Sequence, residues 1–354
     1  MIKYFYKTTV PLASILLLIT SLLIAGCGSP SAAADPGLIQ IQSSKPVILD
    51  VDMAHEDMFS ALFLLSHPNV DLRAITVSGT GEAHCEPGVK NALSLVAVSR
   101  HEEIPVACGR KTPLAGDHEF PAEWREAADN AYGVHLPTGG AASSLSAPDL
   151  IIDIAQNSAE PITIVAVGPL TNLAEAIQKE PEIATGIREI YVMGGALTVE
   201  GNVGISGVGI ENKYAEWNIY IDPAAANIVF NSGIPVILVP LDATRSVPVT
   251  RNFYRALGDQ RDTPSASLVY EMLTANLGFV DSGGFQFWDS LTAAISTDPS
   301  IASFEEVALT VVEEEGPENG RTKPAPDGAM IKVAKSADRE TFEQILLAVW
   351  NWKK

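Results

Sequence analysis

Pro46-Val47-Ile48-Leu49-Asp50-Val51-Asp52-Met53-Ala54-His55-Glu56-Asp57 runs from an apolar stretch straight into a group of acids. A strand with one wet face alternates apolar and polar residues, whereas Val47, Ile48 and Leu49 follow one another without a break. The segment therefore reads as a strand buried on both faces, and residues 58–65 as the helix that follows it. The same strand pattern returns at residues 72–77, 104–108, 162–167, 187–193 and 236–240, with helical patterns such as 91–99 and 170–178 between several of them. Repeated βα units of this kind predict an α/β domain with a mostly parallel central sheet flanked by helices. Ligands in such folds bind at the carboxyl ends of the strands. The polar residues after each apolar run are accordingly the candidates for chemistry.

Composition bounds the partners. The chain has 354 residues, 47% hydrophobic and 19% charged, which is a globular composition. Its 23 basic residues against 43 acidic ones give a net charge of −20, which argues against the phosphate-neutralising surface that nucleic-acid binding needs. A small neutral or cationic ligand, or a metal cation, suits it better.

Residues 1–26 differ from the rest. Lys3 and Lys7 precede an apolar run over 10–24, followed by Ala25-Gly26-Cys27, the layout of an export signal. Ile24-Ala25-Gly26-Cys27 resembles the lipobox of bacterial lipoproteins, which implies a lipid on Cys27 and a chain anchored in the bacterial cell envelope, facing outside the cytoplasm. An uncleaved anchor is the alternative, although the run is short for a span. Residues 27–45 read as the lipidated N-terminus and a flexible linker, and 46–354 as one catalytic domain. Cys85 and Cys108 remain, and export permits a disulfide between them. A zinc site from His84, Cys85 and Cys108 is the competing reading.

Three strand ends carry candidate chemistry. Asp50, Asp52, Glu56 and Asp57 lie within one short segment, where a hard cation such as Ca²⁺ or Mg²⁺ relieves their repulsion; capping of the next helix explains the acids equally well. His55 is read as a passenger among them. The second site joins Met193-Gly194-Gly195 to Asn202 and to Glu216-Trp217-Asn218, a mixture of donors and acceptors that suits a polyhydroxyl ligand. The third is Phe287-Trp288-Asp289-Ser290, an acid beside a large aromatic at the start of an apolar helix.

Together these segments resemble the nucleoside hydrolase family, whose members cleave the N-glycosidic bond of ribonucleosides with a bound Ca²⁺. The resemblance runs from about Pro46 to the C-terminal helix. The family's Asp-x-Asp-Pro-Gly-x-Asp-Asp matches Asp50, Asp52 and Asp57, while Met53-Ala54 stands for Pro-Gly and Glu56 for the first of the paired acids. Gly168-Pro169-Leu170-Thr171-Asn172 matches a family turn whose preceding carbonyl, here Val167, binds calcium. The resemblance thus implies calcium on Asp52, Asp57, Asp289 and the Val167 carbonyl, and Asp52 as general base. It implies ribose contacts from Glu56, Met193, Asn202, Glu216, Asn218 and Asp289. A second departure lies at Gly79-Thr80-Gly81-Glu82, where many members read Gly-Asn.

Uridine-accepting members place a His immediately before the last Asp, and here that residue is Trp288. All six histidines lie at or before His135. Purine-selective members have Trp at this position and sandwich the base against a second Trp, for which Trp124 is the candidate, so the resemblance implies purine ribonucleosides. The competing function is an exported nucleoside-binding lipoprotein without catalysis. A phosphohydrolase built on Asp50 is disfavoured, because Ala54 stands where a hydroxyl is usual. A homo-oligomer is left open.

Overall fold

The structure, a computed structural model, describes residues 39–353. The export signal, Cys27 and the first part of the linker lie outside the described residues. β1 (Lys45–Val51) lies inside a nine-stranded sheet. β2 (Val70–Val77) and β3 (Val106–Cys108) extend it to one side, and β4 (Ile162–Ala166), β5 (Ile187–Met193) and β6 (Val236–Val239) to the other, all parallel. Leu49 stands opposite Ile75 of β2 and Val165 of β4.

The unbroken apolar runs follow from burial on both faces. Leu49, Val51, Val165, Tyr191, Met193 and Val239 enter one core, which contains the helices His55–Ser66, Trp288–Thr297 and Arg339–Trp350. Ile48, Ile164, Ile190, Val192 and Leu238 enter a second core with the helices Ala147–Asn157, Thr171–Lys179 and Pro223–Phe230. Each such side chain contributes about 1.5–3 kcal/mol when fully buried, so neither face can be left wet.

Beyond β6 the sheet changes character. β7 (Ala302–Val311), β8 (Thr322–Pro324) and β9 (Ala329–Ala337) complete it, with β9 parallel to β6 and β7 antiparallel to both β9 and β8. The helix expected over 91–99 begins earlier, at Cys85. Glu86-Pro87-Gly88 reads as a turn, yet a proline in the first turn costs a helix nothing, since the amides there have no intrahelical partner. Cys85 and Cys108 form a disulfide with Cα atoms 5.7 Å apart, tying this helix to β3. Their thiols are therefore unavailable to zinc, and the zinc reading is set aside.

Because β2 and β3 continue from one side of β1 and β4 to β6 from the other, the strand order reverses between β1 and β4. That switch point opens a crevice above the carboxyl ends of the strands. Asp52, Val167 and Met193 lie there.

Candidate active site

A cavity of about 820 Å³ sits over these strand ends and is lined by every candidate ligand, ribose and base residue named from the sequence. Asp52 enters it through a tight turn. Met53 adopts a left-handed φ of +65°, a conformation costing a non-glycine residue about 1–3 kcal/mol. The turn brings the backbone N–H groups of Asp52 and Ala54 onto the two carboxylate oxygens of Asp57, both at 2.8 Å. Asp57 thus braces the turn that presents Asp52. Two glycines enclose Asp52 from the other side. A Cβ at Gly81 would lie 2.1 Å from the Asp52 Cβ, and one at Gly168 2.7 Å from it, so neither position admits a side chain.

The carboxyl groups of Asp52, Asp57 and Asp289 converge, with Asp57 in hydrogen-bond contact with both others. Burial, followed by the charges of Asp52 and Asp289, holds Asp57 well above the usual carboxylate range. Burial and the charges of Glu56, Asp52 and Glu216 do the same to Asp289. Burial also raises Asp52, against hydrogen bonds from Asp57 and the Glu82 and Ala54 amides and the charge of Arg125, whose guanidinium donates to the Gly79 carbonyl at 3.3 Å. Asp50 lies beneath the cavity instead, fixed by Thr76 at 2.6 Å and Asn172 at 2.8 Å. Among the described residues no group of three His, Cys, Asp or Glu is by itself arranged to hold a metal ion. The Val167 carbonyl, the fourth oxygen of the expected set, belongs to a residue lining the same cavity.

The ribose candidates ring the acids. Glu56 is buried, accepts from the Ser290 hydroxyl at 3.3 Å through one oxygen, and leaves Oε1 without a partner. Glu216 caps the short helix Trp217–Ile221 and accepts from the amides of Asn218, Gly195 and Ile219. Asn218 donates to the Val167 carbonyl at 2.9 Å and the Met193 carbonyl at 3.3 Å, joining the ends of β4 and β5. Asn202 accepts from the Trp217 amide at 3.0 Å, which leaves its own side-chain amide free to donate.

Aromatic residues form the upper walls. Trp288 lies 5.9 Å from Phe285 and 6.3 Å from Phe279, measured between ring centres. Trp124 packs edge-on against Trp217 at 5.3 Å, and Trp217 stacks on Phe120. The two expected tryptophans therefore line one cavity as members of separate aromatic groups. His55, read as a passenger from the sequence, is half-buried at the cavity wall. It lines the cavity and stacks on Tyr132, with ring centres 3.2 Å apart. The Tyr132 hydroxyl donates to Glu82 at 2.5 Å, and the Glu82 amide donates to the Asp52 carboxylate at 3.0 Å. His55, Glu82, Tyr132 and Phe285 were not among the site residues read from the sequence. Only Glu82 carried a usable signal there, as an acid following a strand.

These buried acids make stability depend on pH. Burial raises Glu216 to about 7 and Glu82 to about 8, so the folded chain keeps protons that the unfolded chain has released. Their stabilising contribution is complete at acid pH and is lost as pH rises through those values. Protein held in a chelator should accordingly show a higher Tm at pH 6 than at pH 8. A flat or opposite trend in thermal melts would contradict this account of the acids.

The family model described as inosine-uridine preferring nucleoside hydrolase matches residues 47–344. The pyrimidine-specific ribonucleoside hydrolase RihA of Escherichia fergusonii is 35% identical over 239 residues, which is 64% of this chain and 70% of that protein. Among solved structures, a plant nucleoside hydrolase is 30% identical with a TM-score of 0.78, over 87% of this chain and 99% of that one. A purine-preferring ribonucleoside hydrolase from Gardnerella vaginalis is 29% identical with a TM-score of 0.74, over the same shares.

Proposed function

This chain belongs to the inosine-uridine preferring nucleoside hydrolase family and is a ribonucleoside N-glycosyl hydrolase, and on that premise we propose that it cleaves purine ribonucleosides with a Ca²⁺-bound water. We infer further that it acts outside the cytoplasm, held to a bacterial membrane by lipid on Cys27. The family relationship does not choose the base, since RihA is named pyrimidine-specific and the Gardnerella enzyme purine-preferring. The observation that carries the choice is the aromatic wall of Trp288, Phe285 and Phe279 next to Asp289.

The residues fit a calcium ion. Asp52, Asp57, Asp289 and the Val167 carbonyl offer oxygen alone, as hard cations require, and burial, followed by the charges of neighbouring acids, holds Asp57 and Asp289 above their usual range. When bound, the ion lowers the pKa of a water and orients it. Asp52 would act as general base, taking a proton from the water that attacks the anomeric carbon. Glu56, Met193, Asn202, Glu216 and Asn218 hold the ribose hydroxyls, and the unpartnered Oε1 of Glu56 is placed to accept from one. As the base departs, the surrounding carboxylates stabilise the oxocarbenium-like sugar electrostatically.

Trp288 and Trp124 contact the base. Stacking favours the larger purine, aromatic pairs adding about 0.5–1.5 kcal/mol beyond the area they bury. His55 does not substitute for the proton-donating His of uridine-accepting members, because burial lowers it to about 4 and keeps it neutral. Inosine, guanosine or adenosine should exceed uridine in kcat/KM by at least about tenfold, a difference of roughly 1.4 kcal/mol in the transition state. Trp288→Ala should lower kcat for inosine and narrow that gap. Equal cleavage of uridine and inosine in a reducing-sugar assay would refute the purine reading.

A further inference from the structure

A carboxylate works as a general base only while its lone pairs are aimed at the proton it takes, so what orients Asp52 matters as much as Asp52 itself. The Glu82 amide fixes one of its carboxylate oxygens at 3.0 Å, and the Ala83 amide donates to its backbone carbonyl at 2.9 Å. Residues 79–84 thus wrap Asp52, with Gly81 pressed against its Cβ. One neighbouring segment holds this loop in turn. Arg125 donates to the Gly79 carbonyl at 3.3 Å, the Asp129 carboxylate accepts from the His84 amide at 2.7 Å, and Tyr132 donates its phenolic hydrogen to the Glu82 carboxyl at 2.5 Å. Of these three bonds, only that of Tyr132 reaches the residue whose amide touches the Asp52 carboxylate.

The backbone gives a second, independent indication. Ala131 and Tyr132 are both left-handed, at φ +47° and +52°, and Gly133 follows at +79°. Glycine adopts these angles freely, whereas two consecutive residues with a Cβ are strained there. A glycine at position 132 would relieve that strain, but it would leave the half-buried Glu82 side chain without its donor and His55 without the ring it stacks on.

We propose that Tyr132 is a positioning residue for Asp52: by locking the Glu82 side chain it keeps the Glu82 amide on the Asp52 carboxylate, and so keeps that carboxylate turned towards the attacking water. This rests on Asp52 as the general base, as argued above. Tyr132 needs no contact with the nucleoside in this role, and its one hydrogen stays on Glu82 throughout. The relay runs through two hydrogen bonds and one residue, from phenol to carboxyl and from the amide of the same residue to Asp52.

Tyr132→Phe keeps the ring and its stacking on His55 while removing the bond to Glu82. In the full chain, kcat for the nucleoside that the wild type cleaves best should fall at least about tenfold, as a small misplacement of a reacting group produces, with KM within about twofold of the wild type. Glu82→Ala should show the same split. Glu82→Gln, which keeps an oxygen for the phenol, should recover most of the lost kcat. In an Asp52→Asn background Tyr132→Phe should lower kcat by less than about twofold, because no base is left to aim. The proposal is overturned by wild-type kcat in Tyr132→Phe, by a loss that appears in KM, or by equal losses in Glu82→Gln and Glu82→Ala. It is overturned as well if Tyr132→Phe costs as much in the Asp52→Asn background as in the wild type. Failure of the base assignment shows separately, as an Asp52→Asn enzyme that keeps its kcat.

Discussion

Asp57→Ala is expected to abolish calcium binding and to lower turnover by more than about 10³-fold, since it removes a charge from the metal set and disturbs the general base together. Asp57 is the brace of the site. Its two oxygens accept from the Asp52 and Ala54 amides across the left-handed Met53 turn, and its carboxyl meets those of Asp52 and Asp289. Truncation leaves two amides without their acceptor, at a cost of about 1–3 kcal/mol for each that stays buried. Asp57→Asn is the milder control, because its remaining carbonyl oxygen still accepts from one of the two amides of the turn. It should bind calcium more weakly than the wild type for the lost charge, with the wild-type circular dichroism spectrum. Stoichiometric calcium in the alanine variant, or wild-type calcium affinity in the asparagine variant, measured on dialysed protein, would remove Asp57 from the metal set.

Sequence carried the core of this architecture and the gathering of the acids and amides at the strand ends, for one physical reason. β1 to β6 are buried on both faces, so their apolar runs are continuous, and the acids and amides that follow them are brought together by the sheet alone. Asp52, Val167 and Met193 are neighbours because β1, β4 and β5 are neighbours. β7 to β9 escaped this logic. Glu305 and Glu306 of β7 face solvent, and antiparallel pairing with β9 leaves no run of consecutive buried residues to read.

The aromatic wall of the cavity was harder to read for a different reason. Tyr132 lies in a loop without periodicity, and it reaches the cavity through backbone angles that nothing in Asn130-Ala131-Tyr132-Gly133 demands. Phe285 reads as one more core aromatic until the isolated bridge between Pro248 and Gln286 places its segment over the crevice. Trp124 was legible as a tryptophan in a loop that the structure places along the cavity. Its edge-on partner Trp217 was masked by the more eloquent Glu216 and Asn218 on either side.

Asp52→Asn should separate the two duties assigned to Asp52, and its kcat is expected to fall by about 10³-fold, within the 10²–10⁴-fold range of general base catalysis. Gly81 and Gly168 close around the Cβ of this residue, so only an isosteric replacement fits the space. Asparagine also suits the neighbours. Its carbonyl oxygen can accept from the Glu82 amide, as the carboxylate does at 3.0 Å, while its NH₂ replaces the contact with Asp57 by a donor facing an acceptor. An oxygen ligand survives in the variant, so calcium should still bind, though more weakly for the lost charge. What asparagine cannot do is take a proton from water. The acid limb of the kcat/KM profile, set in the wild type by protonation of this base, should therefore flatten in the variant. If Asp52→Asn keeps kcat within about tenfold of the wild type, a loss of less than about 1.4 kcal/mol, the base is another residue of the acid cluster. If calcium disappears together with activity, Asp52 serves chiefly as a ligand, and the water must lose its proton elsewhere.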